Sequence, residues 1–249
     1  MSITCLRNSS LRATVNNWQP NRPWSMSGRM GVFYRVSWSL GRFAFFCTMR
    51  THLLGAERAN LRGGYVLALT HLSHIEPMAA CVLSRRPIDW MTRKEFFKYR
   101  VVSWYLKMCN AFRVNRQGIP VSAVRSAIER ARRGRVVGIC PEGGVAHGAA
   151  AAVRGGAIKR GCCSVAVRGG VPIVPCVMLG THELNRVGPW LPFKRAKIWV
   201  AYGEAIYPPA GARSTRAVRR AMSEQLSEAY RSLYAQLRAT YGIDDSWVP

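Results

Sequence analysis

Over residues 65–240, short β-prone apolar runs alternate regularly with longer segments whose apolar residues recur at helical spacing. The runs at 65–70, 88–92, 111–114, 136–140, 171–179 and 196–202 read as strands. The intervals 76–84, 94–109, 121–133, 155–167 and 215–240 read as helices. Val121, Val124, Ala127, Ile128 and Ala131 fall on one helical face, and Val218, Met222, Leu226, Tyr230, Leu233 and Leu237 form a second stripe. Pro77 sits at a first helical position, where its missing N–H costs nothing. Several strand runs are apolar throughout, which suits strands covered on both faces. The expected class is α/β, with a mostly parallel central sheet flanked by helices. At 249 residues, without an internal repeat or long linker, 58–249 reads as one domain.

The N-terminal part differs. Residues 1–27 lack the compact apolar core of a signal peptide and read as a disordered cytoplasmic leader. The next segment, 28–57, is expected to be helical and membrane-associated. Within it, 30–49 is rich in Phe, Trp, Val and Leu, but Arg35 and Arg42 interrupt it. These arginines lie near one helical face, leaving a broad apolar surface around Val32, Phe33, Val36, Leu40 and Phe43. No run reaches the roughly 18 apolar residues of a spanning helix, so an amphipathic helix lying in the membrane surface is expected. The alternative is a helix packed on the domain.

Charge narrows the partners. The 37 Lys and Arg against 12 Asp and Glu give a formal net charge of +25, which suits a polyanionic neighbour, either nucleic acid or an anionic bilayer. The eight Cys include no CxxC pair, and several lie in apolar runs, as buried thiols of a reducing compartment do.

The segment Thr70-His-Leu-Ser-His-Ile-Glu-Pro77 puts an imidazole and a carboxylate five positions apart where a strand run meets a helix. A carboxylate on one ring nitrogen of His71 would fix its tautomer and stabilise its cation, as a general base requires. His and Glu at this spacing are also compatible with a purely structural pair. A metal site built from His71, His74 and Glu76 is a third reading, without an HExxH motif or Cys ligands to support it.

Further segments follow in a telling order. Together with this one they resemble the glycerolipid acyltransferase family, over roughly residues 50–206. The first segment resembles the family block Asn-His-x-Ser-x-x-Asp, with Glu76 in place of Asp and Thr70 in place of Asn. Trp90-Met-Thr-Arg-Lys-Glu-Phe-Phe-Lys98 is similar to Phe-x-Ala-Lys-x-Glu-Leu-Phe, with Arg93 at the family's Lys. Asn110-Ala-Phe-Arg-Val-Asn-Arg116 resembles Gly-x-x-x-x-Asp-Arg, whose Arg is associated with the acceptor's phosphate, and the resemblance implies that role for Arg116. Cys140-Pro-Glu-Gly-Gly144 matches Phe-Pro-Glu-Gly-Thr-Arg through Pro141, Glu142 and Gly143. Gly144 and Val145 stand where Thr and Arg are usual, and Arg154 is a candidate to supply a guanidinium from another direction. Gly170-Val-Pro-Ile-Val-Pro-Cys176 is similar to Val-Pro-x-x-Pro and brings in Pro172.

The resemblance implies an acyltransferase with His71 and Glu76 catalytic and with Arg93, Arg116, Glu142, Gly143 and Pro172 binding substrate. It also implies that His71 deprotonates a lysolipid hydroxyl, 1-acyl-glycerol-3-phosphate by default, as that oxygen attacks a thioester. The donor would be acyl-CoA or acyl carrier protein, with no metal and no other cofactor. Backbone N–H groups near Glu142 and Gly143, or the Arg93 guanidinium, are candidates to hold the oxyanion. The expected place is the cytoplasmic face of the cell membrane, peripheral or monotopic, against an anionic surface. The missing Arg at Val145 leaves room for another lysolipid or aminolipid acceptor, or for a lipid-binding relative without turnover. A nucleic-acid-binding protein is the alternative of another class, but the basic residues are dispersed and no recognised motif accompanies them, so no nucleic-acid partner is expected.

Overall fold

The computed structural model describes residues 28–114, 121–185 and 196–248. The expected leader, 1–27, and Arg116 lie outside them. Helix α1 spans Gly28–Thr48 and runs directly into strand β1, Met49–Leu54. There follow β2 (Tyr65–Leu69), α2 (Glu76–Leu83), β3 (Ile88–Arg93), α3 (Arg100–Met108), β4 (Phe112–Val114) and α4 (Val121–Arg132). The chain continues with β5 (Val136–Ile139), α5 (Gly161–Gly169), β6 (Ile173–Leu179), β7 (Ala196–Tyr202) and α6 (Arg216–Tyr241).

The strands form one sheet in the order β1-β7-β6-β2-β5-β3-β4. Every neighbouring pair is parallel except β6 with β7. The apolar strands are apolar because both faces are covered. On β2, Val66 and Ala68 join a core built with Ala127 and Ala131 of α4, Cys163 and Ala166 of α5, and Met222, Leu226 and Tyr230 of α6. Tyr65, Leu67 and Leu69 face a second core containing Phe45 of α1 and Ala79, Ala80 and Val82 of α2. The Tyr230 hydroxyl donates to the Ala68 carbonyl at 3.0 Å, tying α6 to the central strand. The docking stripe expected on the last helix therefore packs as read.

Two expectations change. The segment 28–57 is not helical throughout: after Thr48 it becomes β1, which pairs with β7 and belongs to the central sheet. Its exposed Arg50, Thr51 and His52 hid that strand from an apolar-run reading. The helix expected over 155–167 instead begins at Gly161. The preceding stretch forms two short 3-10 turns, Gly148–Ala150 and Ala152–Arg154, because Gly155 (φ 92°) ends the second of them.

α1 packs on the domain and keeps an uncovered side. Tyr34 and Phe45 are buried, the Trp38 indole donates to the Ser84 carbonyl, and Phe33 meets Trp104 of α3 edge-to-face at 5.1 Å. Val32, Val36, Leu40, Phe43 and Phe46 stay exposed, the last at 72%. Tyr99, Val101 and Trp104 continue the uncovered apolar surface around α3. Among the described residues, no helix is long and apolar enough to cross a membrane.

Candidate active site

His71 sits just past the carboxyl end of β2, where side chains leave the sheet for the loops above it. Its Nδ1 lies 3.1 Å from Glu76 Oε2. Glu76 opens α2 and is fully buried, with its other contacts all donors. The Leu72 N–H points to both carboxylate oxygens at 2.9 Å, and the Thr181 hydroxyl donates to Oε1 at 3.1 Å. Burial pushes the Glu76 carboxyl well above its ordinary pKa range; the N–H groups of Leu72 and Ser73 and the Thr181 hydroxyl oppose that rise, and Glu142 adds to it. With donors on both oxygens, the stable arrangement is a carboxylate that accepts Nδ1–H and leaves the other ring nitrogen, Nε2, as the basic atom. His74 stands edge-on to His71, with ring centroids 6.1 Å apart. Among the described residues, no group of three or more His, Cys, Asp and Glu side chains converges to hold a metal ion.

Thr181 reaches Glu76 because of the turn that ends β6. Gly180 has φ 84°, and a Cβ there would lie 2.1 Å from the Lys197 carbonyl. No pattern in the sequence singles out this threonine.

The turn after β5 is fastened to the same histidine. The Glu142 carboxylate accepts the His71 backbone N–H and, at 2.8 Å, the Ala152 N–H, while the Ala146 N–H donates to the His71 carbonyl at 2.8 Å. Burial pushes the Glu142 carboxyl up, and these two N–H groups pull it back. Glu142, expected to touch substrate, instead clamps the loop that carries His71. The Gly143 N–H, expected near the oxyanion, is spent on the Cys140 carbonyl at 3.0 Å.

His71 opens into a cavity of about 940 Å³. Tyr34, Trp38 and Phe45 of α1, Met78 of α2, and Trp90 and Phe96 supply much of its apolar wall. Arg93, at the end of β3, also lines the cavity, as do Gly143 and Lys159. Lys159 was not among the expected site residues. Pro172 lies elsewhere: it precedes β6 at the amino end of the sheet, where its carbonyl accepts the Val66 N–H. Because β6 runs parallel to β2, that end is opposite the one carrying His71. Arg154 is also turned away, with its guanidinium on the carbonyls of Asp245 and Val248.

A family model described as "Acyltransferase" matches residues 50–179, just over half of the chain. A relative from Bacillus subtilis (strain 168), the 1-acyl-sn-glycerol-3-phosphate acyltransferase, is 27% identical over 176 residues, covering 70% of this chain and 83% of its own. The fold is similar to the crystal structure of the 1-acyl-sn-glycerophosphate (LPA) acyltransferase PlsC from Thermotoga maritima. The TM-score is 0.64 with 22% identity, over 84% of each chain. The matched span contains His71, Glu76, the turn after β5 and the strands that position them, and on that ground the chain belongs to the acyltransferase family.

Proposed function

We propose that the chain transfers a fatty acyl group from acyl-CoA or acyl carrier protein to the free hydroxyl of a lysophospholipid, 1-acyl-glycerol-3-phosphate by preference, giving phosphatidate. The observation that carries this reading is His71, braced by buried Glu76, on the wall of a largely apolar cavity of about 940 Å³. That volume is ample for an alkyl chain. In the proposed reaction, the hydroxyl proton passes to His71 Nε2 as the oxygen attacks the thioester carbonyl. Glu76 keeps Nδ1 protonated and stabilises the imidazolium. Arg93 supplies positive charge to the oxyanion. Collapse of the tetrahedral species breaks the C–S bond, and the imidazolium returns its proton to the leaving thiolate.

The acceptor named for the Bacillus subtilis relative supports the choice of lysophosphatidate. The exposed apolar surface of α1 and α3 supports a membrane-surface enzyme. Its lipid face bears Leu40, Phe43, Phe46 and Trp104, with Arg35 and Arg42 beside it to meet anionic headgroups. We place it on the cytoplasmic face of the cell membrane, peripheral or monotopic. The test is purified full-length protein on phosphatidylcholine vesicles containing phosphatidylglycerol, lysophosphatidate and either donor. Phosphatidate formation supports the proposal. Turnover of a different lysolipid with none of lysophosphatidate would replace the acceptor.

A further inference from the structure

We propose that Lys159 binds the headgroup phosphate of the acceptor. The inference rests on the acceptor class proposed above. Among the described residues lining the cavity, only Arg93 and Lys159 carry a full positive charge, and none is a carboxylate. Among the described residues neither cation is held in an ion pair.

Lys159 is placed by the turn after β5. Its backbone N–H donates to the Pro141 carbonyl at 2.8 Å. Its side chain lies flat across Gly143: a Cβ on that glycine would come within 2.4 Å of the ammonium nitrogen and 2.7 Å of the neighbouring carbon. Gly143 is favoured by its φ of 78°, and its bare surface lets the lysine side chain cross it. The same turn holds His71 through the Glu142 carboxylate, so the ammonium is tied by one short run of backbone to the general base. Arg154 cannot serve, because its guanidinium is committed to the carbonyls of Asp245 and Val248.

The chemistry of the two substrates decides which anion belongs here. In 1-acyl-glycerol-3-phosphate the phosphate is borne by the carbon next to the one carrying the reacting hydroxyl. An acceptor bound at His71 must place its phosphate close by, where the turn after β5 stands. The phosphates of acyl-CoA or of a carrier protein's prosthetic group are separated from the thioester by a full pantetheine arm, so they lie away from this turn. A flexible ammonium suits a monodentate phosphate contact that also tolerates other anionic headgroups.

The test is steady-state kinetics of the full chain on phosphatidylcholine vesicles with saturating donor. Lys159→Met keeps the aliphatic stem over Gly143 and removes the charge; Lys159→Arg restores it. We expect Lys159→Met to raise KM for lysophosphatidate about ten- to hundredfold, the range for loss of a hydrogen bond to a charged group, and Lys159→Arg to recover most of it. Donor KM and the slow rate on phosphate-free 1-acylglycerol should not move. An unchanged acceptor KM, an equal loss with 1-acylglycerol, or a raised donor KM would overturn the assignment. If the wild type fails to turn over lysophosphatidate at all, the proposed acceptor falls, and the Lys159 site is read from glycerol 3-phosphate instead. A thermal midpoint raised in the wild type and not in Lys159→Met supports the site, and no rise in either refutes it.

Discussion

Replacing Glu76 by Gln is the sharpest probe of how His71 is held. The Leu72 N–H points to both Glu76 oxygens but the Thr181 hydroxyl donates to Oε1 alone, so the amide oxygen of Gln keeps both donors by taking the Oε1 place. Its NH2 then replaces Oε2, opposite His71 Nδ1 at 3.1 Å. An amide N–H there donates to Nδ1 and forces the ring proton onto Nε2, the atom that must accept the hydroxyl proton. It also leaves the imidazolium without its counter-charge. Lost general-base catalysis and the wrong tautomer together should cut kcat about 10³- to 10⁴-fold, roughly 4 to 5.5 kcal/mol at 1.36 kcal/mol per factor of ten. Stability should move the other way. A carboxyl raised by burial binds its proton more tightly in the folded state, so its contribution is best at low pH and declines as pH rises towards the folded pKa. At neutral pH the wild type bears the cost of a buried charge that Gln lacks. The assay pairs initial rates of acyl transfer with a thermal melt at the same pH. A Gln variant with more than about a tenth of the wild-type rate would refute the reasoning, since that loss is only about 1.4 kcal/mol.

Thr181→Val removes one of the donors that hold the Glu76 proton off. The acid limb of the kcat/KM profile should shift to higher pH while the plateau changes little, and an unmoved limb would show that Thr181 does not act through Glu76. Asp89 on β3 is buried and paired with Arg130 at 2.7 Å and with Arg135 through two guanidinium nitrogens, fixing the end of α4 and the start of β5. Asp89→Asn leaves two guanidiniums without their charge partner and should lower the unfolding free energy by about 3–5 kcal/mol in a urea titration. A loss under about 1 kcal/mol would mean the network is solvated.

Much of the sheet was legible because strands covered on both faces must be apolar, and 65–69, 136–139, 173–179 and 196–202 are nearly pure in that respect. β1 was not, because it is an edge strand whose Arg50, Thr51 and His52 face solvent. The start of α5 was misplaced because the expected helix began at Gly155 and Gly156, while Gly155 takes a left-handed φ of 92° and the helix starts only at Gly161. At the site, the pairing of His71 with Glu76 followed from local spacing. Glu142 was found by motif, and its partners, two backbone N–H groups, left no trace in the sequence. Thr181 and Lys159 reach the site from segments far along the chain, so only the fold brings them to it. Pro172 illustrates the converse: its motif belongs to the family, but its position is at the far end of β6.

The most direct measurement compares His71→Ala with the wild type for acyl transfer to lysophosphatidate on vesicles, alongside vesicle sedimentation and a thermal melt. His71 contributes its ring to the cavity, while its backbone N–H and carbonyl make the clamps to Glu142 and Ala146, which alanine retains. The variant should bind vesicles and melt close to the wild type, with acyl transfer reduced by about 10³-fold or more. Acyl transfer at the wild-type rate in a folded, vesicle-bound His71→Ala protein would contradict the account.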